Sequence, residues 1–301
     1  MGRLSGAGAM SGPGAMPGAA TISQGHDEAA QFADSVAGVL DRLAPPPPAW
    51  RPGHIPDDEE RATVAAALDE LGWSMLAHEP QLAAFAGLAG VQLGRRLAAP
   101  DLVDSLLGGA PVAGGLARSL DVADERRPRP TVLTAGPLGP ERRVAGSWEA
   151  VPYAEGLRVH RVAELGEPER LDPVAVGVAR DAWLAASVGY LAGLAAGAVD
   201  LTVAHARARR AFGATLADLA PVQQLLAGAA TAARGLELLA AEGASCEALA
   251  HAGEAASAAC AACQQATGAL GFTLEHPLHR YAQRARALAI FNDALLDTLL
   301  P

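Results

Sequence analysis

The sequence is 301 residues long, half of them hydrophobic, and it carries a formal net charge of −10 at pH 7. A chain of this length can bury a sizeable core, and an acidic chain without a Lys/Arg-rich run is excluded from the proteins that bind nucleic-acid backbones. Aromatic residues make up only 4%, while Ala and Gly dominate the apolar share, which favours closely packed helices over strands. We therefore expect a mainly α-helical protein.

The N-terminal third is predicted to be a disordered leader followed by a small helical domain. Residues 1–26 are rich in Gly, Ala, Ser and Pro and lack the continuous apolar stretch of a secretory signal, so we interpret them as the leader. Residues 27–108 form the helical domain. Within it, apolar residues at helical spacing predict helices over residues 27–43, from 57 or 58 to 73, over 81–97 and over 100–107.

The helical period fails between residues 109 and 171. Short runs punctuated by Pro and Gly replace it, namely TVLTAG, RRVAGSWEAV and GLRVHRVAEL. About sixty residues suffice only for a few short strands. We therefore predict a small β region here.

Residues 172–301 are predicted to form a four-helix bundle. Four long helical segments cover residues 174–210, 219–241, 245–270 and 278–300, and short connections between them imply antiparallel neighbours. The uncharged run 182–199 is more than half Ala or Gly and is bracketed by Asp181 and Asp200. Because Ala and Gly contribute little to bilayer insertion, we interpret this run as a buried bundle helix rather than a membrane span.

The cysteines and histidines do not suggest a metal site. Cys246, Cys260 and Cys263 are too few for a disulfide framework, so free thiols in a reducing cytoplasm are expected. Cys260 and Cys263 form a CxxC inside an Ala-rich helix without a second Cys/His pair nearby, which favours buried packing. His276 and His279 flank Pro277 and are expected to cap and pack the last helix. No metal is predicted.

Two motifs of the bundle resemble the acyl-CoA dehydrogenase family. The stretch VAHARARRAFGATLADLAPVQQLLA is similar to the family's helix with a basic turn ending in Phe-Gly, followed by a Gln-containing helix. The stretch QATGALGFTLEHPLHRYAQRA is similar to its glycine turn and Arg-bearing helix, in the form of an actinobacterial branch. LDELGW and LGRRLAAP resemble helices of its N-terminal domain. The family's Thr-Glu-Pro and Gly-Ser-Asp turns are missing from residues 109–170, so the β domain is shortened.

The resemblance implies that a carboxylate acts as the catalytic base. In the family, a carboxylate removes the α-proton of an acyl-CoA thioester while the flavin accepts the β-hydride. One family position for the base falls on Asn292, and the other falls on Trp183; neither side chain is a base. Asp293 and Asp181 are the nearest carboxylates and are the candidate catalytic residues, although an Asp at a helix start is commonly a cap.

The resemblance also implies that FAD is the cofactor. Arg209 is the expected partner of the pyrophosphate, because a guanidinium offers paired donors to phosphate oxygens. Phe212, Gln265 and Gly268 are the other candidate cofactor-binding residues. A solvated basic turn around Arg209 is the alternative, and the Gly-Thr that usually follows the base is replaced by Asp293 and Ala294.

The expected function is therefore that of an FAD-dependent acyl-CoA dehydrogenase subunit, which catalyses α,β-dehydrogenation of an acyl-CoA thioester. The family assembles through its C-terminal bundles, so a homo- or hetero-oligomer is expected, with a full-length homologue as the partner. The alternative is a non-catalytic structural subunit of such a complex. Neither interpretation involves nucleic acid or a membrane.

Overall fold

The computed structural model describes residues 17–45, 58–119, 131–136, 139–153, 157–211, 213–242 and 245–299. Helices predominate in these residues, and the strands are short. The helices are α1 Pro17–Leu43, α2 Asp58–Glu70, α3 Ala83–Arg95, α4 Asp101–Asp104, α5 Pro173–Ala208, α6 Ala220–Glu242, α7 Cys246–Thr267 and α8 Leu278–Leu299. The predicted architecture of N-terminal helices, a small β region and a four-helix bundle is confirmed.

The first helix starts earlier than the sequence pattern predicts. α1 begins at Pro17, so residues 17–26, which the sequence pattern assigns to a disordered leader, are part of the helix. Apolar spacing becomes regular only after this point, where Ala29, Ala33, Val36 and Leu40 are buried. Residues 1–16 of the predicted leader lie outside the described part of the chain.

Six strands between residues 110 and 170 form one sheet in the described residues. They are β1 Ala110–Ala113, β2 Leu116–Arg118, β3 Thr131–Gly136, β4 Gly139–Val151, β5 Val159–Leu165 and β6 Glu169–Arg170. The order is β3-β1-β2-β5-β4-β6, and an additional β3–β4 pairing closes the first five strands into a ring. Its small core contains Ala110, Ala117, Val132 and Ala145. Side chains this small let a short sheet close tightly.

The N-terminal helices and the bundle share one hydrophobic core. α3 lies directly against α5, and glycines on both helices allow their backbones to approach. A Cβ at Gly94 would lie 1.9 Å from the Tyr190 carbonyl oxygen, and a Cβ at Gly193 would lie 2.1 Å from the Val91 carbonyl oxygen. These contacts are possible only without side chains, so the small residues set the distance between the two helices.

α5 is the central helix of the fold. Asp172 caps its N-terminus by accepting a hydrogen bond from the Val174 amide at 3.2 Å, and Pro173 occupies the first turn, where its missing N–H costs nothing. Among the described residues, α5 alone is long and apolar enough to span a membrane, and 94% of its most apolar window is buried inside the protein. The prediction of a buried bundle helix is confirmed.

Three side chains of the bundle bind the backbone carbonyls at the end of α3. Arg284 donates to the Leu97 oxygen at 2.7 Å and the Ala98 oxygen at 3.1 Å. Tyr190 also donates to the Ala98 oxygen, and Tyr281 donates to the Arg95 oxygen at 2.7 Å. Carbonyls at a helix end lack intrahelical donors. The buried Arg284 guanidinium therefore satisfies α3 while fixing α5 and α8 against it.

Candidate functional site

The predicted phosphate-binding residue Arg209 lies at the exposed end of α5. Its backbone N–H donates to the His205 oxygen at 2.8 Å, and its carbonyl accepts from the Leu216 amide at 2.9 Å. The chain then turns through Gly213, at φ +83°, between β7 Arg210–Ala211 and β8 Ala214–Thr215. The backbone is thus fixed on both sides while the guanidinium remains exposed. Phe212, the next predicted cofactor residue, lies outside the described residues.

The predicted residues Gln265 and Gly268 lie at the end of α7. Gln265 is exposed. Gly268 has a φ of +77°, and its amide donates to the Gln264 and Gln265 carbonyls at 3.0 and 3.2 Å. A positive φ here favours glycine, which explains the glycine turn of the motif. Gln265 therefore presents its side-chain amide to solvent, whereas the Gly268 amide is hydrogen-bonded within the turn.

The ends of α5 and α7 are neighbours in the fold. The hydroxyl oxygens of Thr202 and Thr267 are 3.5 Å apart. Beyond them, the rings of His205 and His276 meet edge to face with 5.7 Å between their centroids. Arg209, Gln265 and Gly268 thus lie toward the same end of the bundle, and we call these three the bundle-end residues. Sequence reasoning predicted all of them from local motifs.

Trp183 and Asn292, which the motif resemblance predicts at the base positions, meet in one buried polar cluster together with Asp104 and Arg118. Trp183 on α5 and Asn292 on α8 are only 1% and 2% exposed. The indole of Trp183 donates to Asp104 Oδ1 at 3.0 Å. Asn292 Oδ1 accepts from Arg118 Nη1 at 2.9 Å. Both positions are therefore filled by side chains that neither accept a substrate proton nor face solvent.

A buried ion pair holds this cluster together. Arg118 donates to both oxygens of Asp104, from Nε at 2.8 Å and from Nη2 at 2.7 Å. Ser119 also donates to Asp104. Sequence reasoning missed Asp104 and Arg118, since they stand 14 residues apart in a segment without a recognisable motif. Only the packing of α4 and β2 against α5 and α8 brings them beside Trp183 and Asn292.

The candidate bases themselves lie elsewhere. Asp181 is on the exposed side of α5, and its closest cation is Arg180 at 3.3 Å. Asp293 is also exposed, on α8. Each is a near neighbour in sequence of a cluster residue, but the helical turn directs it toward solvent instead. The structure thus does not bring these two carboxylates together at an enclosed site.

The space beside the cluster is small. A cavity of about 10 Å³ is lined by residues of α4, α5, α8, β2 and the turn before α4, namely Pro100, Val103, Arg118, Ser187, Tyr190, Leu288 and Asn292. A volume of this size admits about one water molecule. It excludes both an isoalloxazine ring and an acyl chain.

A much larger cleft of about 740 Å³ lies on the other side of Asp104. One wall is an alanine face of α2, Ala62, Ala65 and Ala66, and another wall includes Gly108 and Gly109. Arg158 lies in the cleft and forms an ion pair with Asp101. The cleft does not include Trp183 or Asn292, so it is separate from the base positions.

The cysteines and histidines behave as packing groups. Cys260 and Cys263 are fully buried free thiols, and burial raises the pKa of the Cys263 thiol to about 11. His276 Nδ1 accepts from the Leu278 amide at 3.3 Å, at the start of α8. The described residues contain no group of three or more His, Cys, Asp or Glu side chains that could hold a metal ion.

Comparisons with known proteins agree with this geometry. Residues 185–292 match the family described as acyl-CoA dehydrogenase, C-terminal domain. The ChsE4-ChsE5 complex from Mycobacterium tuberculosis is 15% identical with a TM-score of 0.61, covering 90% of this chain and 94% of that chain. No curated protein matches the sequence.

Two further solved structures have the same fold. Glutaryl-CoA dehydrogenase from Mycobacterium smegmatis in complex with FADH2 is 14% identical with a TM-score of 0.56, covering 93% of each chain. Butyryl-CoA dehydrogenase from Megasphaera elsdenii is 12% identical with a TM-score of 0.59, covering 91% of this chain and 97% of that chain. The bundle thus matches the C-terminal domain of the acyl-CoA dehydrogenase family and the chain has the fold of these dehydrogenases, so the resemblance inferred from the motifs is confirmed.

Proposed function

We propose that this chain is the FAD-contacting but base-deficient subunit of a hetero-oligomeric acyl-CoA dehydrogenase. In this proposal, the complex carries out α,β-dehydrogenation of an acyl-CoA thioester, and a full-length homologue supplies the catalytic base. The observation that carries the proposal is the occupation of both base positions by the buried side chains of Trp183 and Asn292. The three free thiols fit a reducing cytoplasm, where we propose that the complex acts.

The fit of FAD to this chain differs between its two halves. At the ADP half, Arg209 and Gln265 fit well, because an exposed guanidinium and an exposed side-chain amide are donors that a pyrophosphate can accept from. At the buried polar cluster, the cavity of about 10 Å³ beside Arg118 is too small to hold the isoalloxazine ring. When bound, FAD supplies the hydride acceptor of the reaction, but none of this chain's described residues is assigned a step at the ring.

The missing base favours a partner subunit of different sequence. In a homo-oligomer, every subunit would repeat Trp183 and Asn292 and no copy would offer a base at either position. A homologue that keeps a glutamate there would complete the site, while this chain would contribute its bundle-end residues. The similarity to a chain of the ChsE4-ChsE5 complex supports a hetero-oligomer.

The test is a visible absorption spectrum of the chain alone and of its complex with a co-expressed full-length homologue. We expect flavin only in the complex. Flavin bound by the isolated chain would refute the shared site and support an independent dehydrogenase. Absence of flavin from both samples would refute the redox function and leave the non-catalytic structural subunit.

Arg209→Ala tests the contact with the cofactor, and Arg207→Ala is the matched control because it removes another exposed guanidinium from the last turn of α5. Loss of a charged hydrogen-bond pair should raise the FAD dissociation constant of the complex roughly 10- to 100-fold for Arg209→Ala only. Gel filtration verifies that both complexes remain assembled. Equal affinities for the two variants would contradict the assignment of Arg209.

Asp181→Asn and Asp293→Asn test the two remaining carboxylates. Because both side chains are exposed, we expect the complex to keep its turnover number with either variant. A large loss of turnover with flavin content unchanged would instead assign the base to that residue and remove the need for a base from the partner.

A further inference from the structure

Arg118 occupies the centre of the buried polar cluster. It ends β2, and its guanidinium reaches both the α5 side of the cluster, through Asp104, and the α8 side, through Asn292. The guanidinium carbon also lies 5.1 Å from the centroid of the Phe291 ring, where a cation is attracted to the aromatic face. Five donors, a planar shape and a permanent charge make this side chain difficult to displace.

The choice of residues at the two base positions follows from Arg118. Asp104 already balances the charge of the guanidinium, and Asn292 provides a neutral oxygen for the remaining donor. A carboxylate at position 292 would be held ionised by the adjacent guanidinium, so its pKa would fall well below the range that a general base needs. Trp183 supplies a further donor to Asp104. The cluster therefore replaces a catalytic carboxylate with a structural ion pair.

Little space remains beside the guanidinium. The cavity beside Arg118 measures about 10 Å³, and the hydroxyl of Ser187, which lines it, has no hydrogen-bond partner among the described residues. One water molecule suits such a site. Anything larger would require Arg118 to leave.

We infer that Arg118 closes this subunit's own reaction site and thereby determines that the flavin ring and the acyl thioester bind on the partner's side. The biological consequence rests on the proposed function. The closure itself is a property of the isolated chain and is tested without flavin or partner.

The experiment compares two variants in the full-length chain. Arg118→Ala opens the space, and Arg118→Met fills it with an uncharged side chain of similar length. Both are made with Asp104→Asn, so that no buried carboxylate is left without its cation. Arg118→Val replaces the alanine variant if the latter does not unfold cooperatively. Arg158→Ala with Asp101→Asn is the matched control, because this pair also joins the α4 segment to the β region, outside the cluster.

The probe is indole, a small aromatic molecule with one N–H donor. We expect indole to raise the melting temperature of the Arg118→Ala protein saturably, and to lie against Phe291 and Asn292 in its crystals, since a ligand that binds only the native state stabilises it. The wild type, the Arg118→Met protein and the Arg158→Ala control should show no such shift.

Three results would overturn the inference. An equal shift in the wild type would mean that the site is open despite Arg118. A folded alanine or valine variant without a shift would mean that neighbouring groups close the site independently of Arg118. A shift in the Arg158→Ala control would place the indole outside the cluster. A complex without flavin would refute the proposed function but leave the indole result standing.

Discussion

Gly193→Ala should be one of the most destabilising single-methyl additions in this protein. The new Cβ would lie 2.1 Å from the Val91 carbonyl oxygen and 2.6 Å from the Arg95 amide nitrogen. Both atoms belong to the backbone of α3, so no rotamer change relieves the contact, and α3 and α5 must separate along a buried interface. Overpacking typically costs about 1–3 kcal/mol, and this backbone contact places the expected loss at about 3 kcal/mol.

Urea and thermal unfolding monitored by circular dichroism measure this loss. For a protein of this size it corresponds to a fall in melting temperature of roughly 6 °C. Gly235→Ala is the matched control, because Gly235 is an exposed residue of α6 with no atom within 4 Å of an added Cβ. The control should gain up to about 1 kcal/mol from the better helix propensity of alanine. If Gly193→Ala unfolds at the same urea concentration as the wild type, close helix packing does not set the stability of α3 and α5.

Two further changes test the buried groups of the bundle. Arg284→Met removes the donors to the Leu97 and Ala98 carbonyls and should lower the free energy of unfolding by about 1–3 kcal/mol in a urea titration. The exposed control Arg286→Met should change this free energy by less than about 0.5 kcal/mol. Equal losses would show that the carbonyl contacts contribute nothing. Burial raises the pKa of the Cys263 thiol to about 11, above the value of about 8.5 in the unfolded chain. The stability gained by keeping this thiol protonated is therefore complete below a pH of about 8.5 and is lost as the pH rises towards 11. Cys263→Ala removes the thiol and should flatten the fall in the free energy of unfolding across this pH window. An unchanged slope of that free energy against pH would contradict the prediction.

Much of the fold was predictable because its signals are local. The 3.6-residue period predicted the bundle helices, and the Asp172-Pro173 and Ser245 starts of α5 and α7 are N-terminal signals that depend on a few adjacent residues. The bundle-end residues were predicted as cofactor contacts from short motifs, and the structure brings them to one end of the bundle. The helical start at Pro17 was missed because Gly, Ala and Ser at the beginning of α1 have no apolar period of their own.

The centre of the candidate site was not predictable in this way. The contacts of the cluster join residues separated by 14, 79 and 174 positions, and no pattern of spacing encodes such pairs. The family-like motifs predicted that Trp183 and Asn292 stand at the base positions, and they made Asp181 and Asp293 the candidate bases. The helical turn places both carboxylates on the exposed faces of α5 and α8.

The sequence by itself thus determined the resemblance to acyl-CoA dehydrogenases and the order of helices and sheet, and it predicted two positions without the usual base, because these depend on local periodicity and short motifs. Only the tertiary structure decided what occupies the missing site. Packing of α4 and β2 against α5 and α8 buries Asp104 and Arg118 together, and a buried charge must find its partner within the fold. The ion pair and its hydrogen bonds to Trp183 and Asn292 join these four residues, which are distant in sequence, into one cluster. A cavity of about 10 Å³ lies beside them.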